Sequence, residues 1–171
     1  MTAFATVKPS ALSREAFIET FGGVYEHSPW IAETIFDQGI GSEDDDIERL
    51  HARLAQVVRA APRAAQLALI QAHPDLAGKA AVRGELSEAS TAEQAGAGIQ
   101  DCTLEEFERF ERLNAAYQAR FGFVFIMAVK GSDRQRILAA FEERLNNTPE
   151  QEFARALAEI DKIALFRLQS M

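Results

Sequence analysis

The sequence predicts an all-α protein: an irregular bundle of about eight helices, interrupted by one short extended apolar segment near 121–130. Three observations predict it. Apolar residues recur at helical spacing along most of the chain. Ser, Thr and Asp stand where helices should start, with Gly and Pro where they should stop. The one run of strand-like composition, FGFVFIMAV at 121–129, has no obvious partner strand. At 171 residues the chain is read as a single domain, 1–171, with 1–9 loosely ordered.

Ser13 is the expected cap of a first helix whose stripe is Phe17, Ile18 and Phe21, stopped by Gly22 and Gly23. Ser28 is the expected cap of the next, with Pro29 at its first position and Trp30, Ile31, Ile35 and Phe36 as its buried face. Ser42 is read as capping an acid-rich first turn, Glu43 to Asp46, of a helix continued by Ile47, Leu50, Leu54, Val57 and Val58. Pro62 opens the helix carrying Leu67, Leu69 and Ile70. It should stop at His73, because a residue before proline is pushed out of the α region.

A short helical piece is expected over 76–81, broken at Gly84. Ser90-x-x-Glu93 has capping-box spacing, and Thr91-x-x-Gln94 offers the same pattern one residue on. Gly96 and Gly98 keep that helix short. Thr103-x-x-Glu106 is another capping box, opening a long helix with Leu104, Phe107, Phe110, Leu113 and Tyr117 on one face. After the apolar segment, helices resume at Ile137, turn at Asn146-Asn147, and restart at Thr148-Pro149. The last carries Phe153, Leu157, Ile160, Ala164 and Leu168 as its stripe. If the segment is extended, its backbone groups need partners, and a bound ligand is one candidate.

A net charge of -8 with no basic face argues against nucleic acid. No apolar run approaches a membrane span, and the N-terminus does not read as a secretory signal. One cysteine, Cys102, allows no internal disulfide, which fits a reducing compartment. The expectation is a soluble, cytoplasmic protein. His27, His51 and His73 lack ligand spacing, so no metal is expected, and neither nucleotide fingerprint is present.

The stretch 71–98 holds the most suggestive chemistry. His73 beside a proline and Glu93 in the following helix make a proton-handling pair in outline. Taken singly, each has a plainer role: a histidine at a helix end suits the dipole, and a capping-box glutamate is usually a cap. Lys79, Arg83, Arg120 and Lys130 read as solvated charges, Trp30 as core, and Cys102 as a small packed residue.

Longer motifs decide between these readings. HPDLAGKAA at 73–81, STAEQAGAG at 90–98 and LNAAY at 113–117 resemble one family, as do EHSPW at 26–30 and FGF…FI…AVKG between 121 and 131. That family is the decarboxylase of 2-oxo-4-hydroxy-4-carboxy-5-ureidoimidazoline (OHCU), which closes the route from uric acid to allantoin. The similarity spans about residues 10 to 168. It implies an all-α, cofactor-free carboxy-lyase, commonly a homodimer, that yields (S)-allantoin and carbon dioxide.

The family's catalytic histidine falls on His73, expected as general acid/base, and Glu93 is expected to hydrogen-bond the substrate or orient the imidazole. Its substrate contacts fall on Pro74, on Ser90, Thr91, Ala92, Glu93 and Gln94, and on backbone of Phe125, Ile126, Met127, Ala128 and Val129. One departure is Val124, where members often carry proline; valine still favours an extended backbone. Two rival readings remain at this stage. One is another lyase or hydrolase acting on a ureido or imidazoline compound; the other is a non-catalytic helical binding module.

Overall fold

The computed structural model describes residues 1–77 and 86–171. The expected helical piece over 76–81, the break at Gly84, and Lys79 and Arg83 fall on or across 78–85, outside the described residues. Leu76 and Ala77 themselves form a turn. Among the described residues there are eight α-helices and no strand, so the chain is all-α. They are α1 (Arg14–Phe21), α2 (Trp30–Asp37), α3 (Ile47–Ala60), α4 (Arg63–Gln71), α5 (Glu88–Gly96), α6 (Leu104–Phe121), α7 (Arg134–Arg144) and α8 (Pro149–Gln169). The chain clusters into two compact units, Met1–Ala72 with Asp161–Met171, and His73–Ile160.

In the first unit, Ser13 caps α1 by accepting from Ala16 N–H. Phe17 packs on Phe21 and Phe36 with ring centroids 4.8 and 5.3 Å apart. Gly22 closes α1, and a Cβ there would strike the Ile18 carbonyl, so this cap position requires glycine. Residues 1–9, expected to be loosely held, make defined contacts: Phe4 is buried against Phe21, and Ile47 N–H donates to the Thr2 carbonyl at 2.8 Å. A buried Arg167 donates to Glu26 at 2.9 Å and to the Val24 carbonyl at 3.2 Å.

Two expected starts are corrected here. The Ser28 hydroxyl donates backward to the Glu26 carbonyl, and α2 begins at Trp30 with Pro29 as its N-cap. Ser42–Asp45 is a separate 3-10 turn; α3 starts at Ile47, capped by Asp46, which accepts from Arg49 N–H at 3.0 Å. In an acidic run every carboxylate is a capable cap, and the one that lies next to the apolar stripe prevails. Trp30, expected in the core, is half-buried, while Ile31, Ala32 and Ile35 face inward.

In the second unit, the cap of α5 is Ser87, which accepts from Ser90 N–H at 3.2 Å. Ser90 therefore lies inside the helix and does not start it. The Thr103–Glu106 box is present with both reciprocal bonds. Leu104, expected on the buried face of α6, is 75% exposed; Phe110, Tyr117 and Phe121 carry that face. Gly122 closes α6 in the left-handed conformation, φ +77°.

Beyond it, 123–129 adopts neither helix nor strand. Its Phe123 and Phe125 join Tyr117, Phe121 and Phe141 in one aromatic cluster, Phe125 stacking on Phe141 at 3.7 Å between centroids. Since Ser87 holds the α5 cap, Ser87→Ala should lower stability by about 1 kcal/mol in urea unfolding. A loss within error of zero would return the cap to another residue.

Candidate active site

His73 follows α4 directly, because Pro74 denies it a helical backbone and Ala72 closes the helix by bonding to the Ala68 carbonyl. The next residues form a non-helical turn whose backbone groups need partners from elsewhere. Two side-chain amides supply them, and a third holds the Asp75 side chain. Gln94 of α5 donates from Nε2 to the Asp75 carbonyl at 3.2 Å and accepts at Oε1 from Ala77 N–H at 3.1 Å. Asn114 of α6 donates to the Leu76 carbonyl at 2.9 Å, and Gln118, one turn on, donates to the Asp75 carboxylate at 2.9 Å.

The turn is strained as well as fastened. Ala77 has φ +53°, a region a Cβ-bearing residue occupies only when its surroundings impose it. Gln94 is 4% exposed and Asn114 6%, so their bonds to the turn lie largely out of water, whereas the Gln118–Asp75 bond is at the surface; His73 itself is 7% exposed. His73, Ser90 and Glu93 are each engaged by neighbouring groups.

The predicted site residues divide by position. On α5, Ser90 and Gln94 are one turn apart and buried, Glu93 is half-buried, and Thr91 and Ala92 are exposed. Thr91 and Gln94 line a cavity of about 580 Å³ together with Ala77, Ile99, Cys102 and Phe107; His73 and Glu93 are not among its walls. The start of α5 lies at Ser87, so the N–H groups of Ser90 to Glu93 are not the open end of that helix. Ser90 N–H is taken by the Ser87 hydroxyl and Thr91 N–H by the Ser87 carbonyl.

The segment 125–129 also departs from expectation. At least three of its backbone groups are partnered by the protein: Ile126 O by Arg144 at 2.7 Å, Ala128 N–H by Glu159 at 3.2 Å, and Val129 O by Ser132 N–H at 3.0 Å. Sequence reasoning missed Asn114, Gln118, Arg144 and Glu159 as supports. For Asn114 a signal existed: a polar amide set within the buried stripe of α6, now seen to be itself buried. Cys102 fits its plain reading, since burial and then Glu106 push its thiol above the ordinary range. Among the described residues no group of three or more His, Cys, Asp or Glu side chains converges as a metal site.

The family model for OHCU decarboxylase matches residues 10–169. The chain belongs to the OHCU decarboxylase family. It is therefore an enzyme, a carboxy-lyase of urate degradation, as the motifs implied. An OHCU decarboxylase from Haloferax volcanii is 41% identical over 157 residues, covering 92% of this chain and 89% of its own. One from Amia calva is 36% identical over 162 residues, with coverage of 95% and 91%. A crystal structure of (S)-allantoin synthase superposes with a TM-score of 0.76 at 32% identity, over 95% of this chain and 52% of the other, so this chain spans about half of it. A crystal structure of OHCU decarboxylase in the presence of (S)-allantoin, at 20% identity and a TM-score of 0.67, shares the fold over 82% of this chain and 89% of that one.

Within this OHCU decarboxylase chain, burial raises the Asp75 carboxyl above its ordinary value, opposed by the Gln118 bond. The folded state thus binds that proton more readily than the unfolded one, and the ionised carboxylate detracts from stability. The deficit is full at neutral pH, fades as pH falls through the folded value, and vanishes below the unfolded value. Asp75→Asn, which keeps an acceptor for Gln118, should therefore stabilise the protein at pH 7 and make no difference near pH 3. Unfolding curves at both pH values check this; a variant destabilised at pH 7 would contradict it.

Proposed function

We propose that this chain decarboxylates OHCU to (S)-allantoin and carbon dioxide without a cofactor, with His73 as general acid/base. The observation that carries the reading is the juxtaposition of two family motifs: Gln94 of the second fastens the turn that follows His73 and Pro74 of the first. Distant stretches that match the family in sequence thus meet where the family's chemistry is expected.

The chemistry sets what the protein must do. Loss of carbon dioxide leaves an electron pair on the ring carbon that bore the carboxylate. The neighbouring C=N unit of the substrate accepts it, so the sink lies in the substrate itself. The hydroxyl on the same carbon then loses its proton to become a carbonyl, the adjacent ring carbon gains one on a single face, and the ring nitrogen that took the electron pair takes its proton from solvent. His73 takes the first proton and returns one to the ring; an imidazole suits both steps because it titrates near neutrality.

Glu93 orients the imidazole or the substrate, while Ser90, Thr91, Ala92 and Gln94 border the ureido group. Pro74 and the backbone of Phe125, Ile126, Met127, Ala128 and Val129 hold the ring. The chain acts as one domain over 1–171, as a cytoplasmic homodimer. Among the described residues no helix is long and apolar enough to cross a membrane.

The test generates OHCU in place from urate with urate oxidase and hydroxyisourate hydrolase, and follows optical rotation. Uncatalysed decarboxylation has nothing to select a face and gives racemic allantoin, so one enantiomer appearing rapidly marks the enzyme. His73→Asn should stay folded and lose about 100- to 10,000-fold in kcat, the usual scale for general acid/base catalysis. Racemic product from folded wild-type protein would reject the activity, and near-normal turnover by the variant would reject the role of His73.

A further inference from the structure

The geometry points to the buried Arg144–Glu152 pair as a positioning device for the substrate-holding backbone, and we propose that it sets substrate affinity without taking part in the chemistry. The inference rests on the reading that 125–129 borders the substrate. Arg144 and Glu152 are 3% and 0% exposed, and their Nε and Oε1 atoms are 2.8 Å apart. The second arm of the guanidinium, Nη1, donates to the Ile126 carbonyl at 2.7 Å, and Cζ lies over the Phe125 ring, 4.3 Å from its centre. One side chain therefore fixes both the backbone and the ring at the start of the segment.

The pair is itself braced. Tyr117 donates to Glu152 Oε1 at 2.7 Å and Asn147 to Oε2 at 3.0 Å, so the carboxylate cannot swing away. Arg144 Nη2 is buried with no hydrogen-bond partner among the described residues. A buried cation with an open donor is a poor way to gain stability, and apolar packing of the same volume does as well or better. What this cation supplies that apolar packing would not is a rigid fork with one tine on Glu152 and the other on Ile126 O.

A residue that holds a binding segment acts on ground state and transition state alike, so its loss raises KM and spares kcat. Arg144→Met/Glu152→Gln removes both charges together and leaves no lone buried ion. It should unfold cooperatively, with KM raised about 10-fold or more and kcat within about 3-fold of wild type. Arg144→Lys keeps the charge on Glu152 but lacks the fork, and should raise KM by an intermediate, several-fold amount. A folded double variant with KM within about 2-fold of wild type overturns the proposal. Should the double variant not fold, Arg144→Lys decides by the same criterion.

A third variant separates this inference from the reading beneath it. Ala128→Leu adds bulk to the segment and should raise KM if the segment borders the substrate. An unchanged KM there rejects the segment as a binding element. A raised KM there, with unchanged KM in the Arg144 variants, rejects the positioning role alone.

Discussion

Gln94 spends both ends of one carboxamide on the turn after His73, donating to the Asp75 carbonyl and accepting from Ala77 N–H. Much of the candidate site depends on that bridge. A buried backbone hydrogen bond is worth only about 1 kcal/mol net, but a buried donor left without a partner costs about 1–3 kcal/mol. Replacing Gln94 with an apolar residue would leave Ala77 N–H in that condition, at a residue already held at φ +53°. The bridge fixes one conformation of the turn by making the alternatives expensive.

The same device appears at 123–129. Both stretches lie outside regular structure, both expose backbone groups that a helix would have satisfied internally, and both are served by polar side chains projecting from helices. Around 73–77 those side chains are neutral amides; around 125–128 they are the charged groups Arg144 and Glu159. Irregular backbone held rigidly suits the proposed reaction, in which the substrate supplies its own electron sink. The protein then has little to do beyond orientation and proton transfer, and orientation requires that the holding atoms do not move.

Features local in the chain were legible. The Ser13 cap, the Thr103–Glu106 box, the stop before Pro74 and the apolar stripes are all decided by neighbours within a turn. Errors arose where neighbouring residues competed for one role. Ser87, Ser90 and Thr91 all offer a cap; the Glu93 and Gln94 spacings favoured the later two, while the helix begins at the first. The acidic run 43–46 posed the same ambiguity and resolved at Asp46.

The candidate site was proposed through motifs and not through physics. Nothing local to Gln94 announces the Asp75 carbonyl, and nothing near Ile126 announces Arg144. A non-helical stretch here was foreseen from its composition, but its partners lie 18 and 31 residues along the chain. Long-range pairing of this kind is set by the packing of helices, which periodicity alone does not specify.

In the proposed reaction the fastened turn presents His73 as the group that moves the protons. The most direct test is to titrate the His73 imidazole by nitrogen NMR in the folded protein and compare the midpoint with the pH dependence of kcat/KM for OHCU. If His73 moves the protons, one limb of the rate profile coincides with the ring's own titration and disappears in His73→Asn. A rate limb that survives the substitution, or a ring that does not titrate where the rate changes, would contradict it.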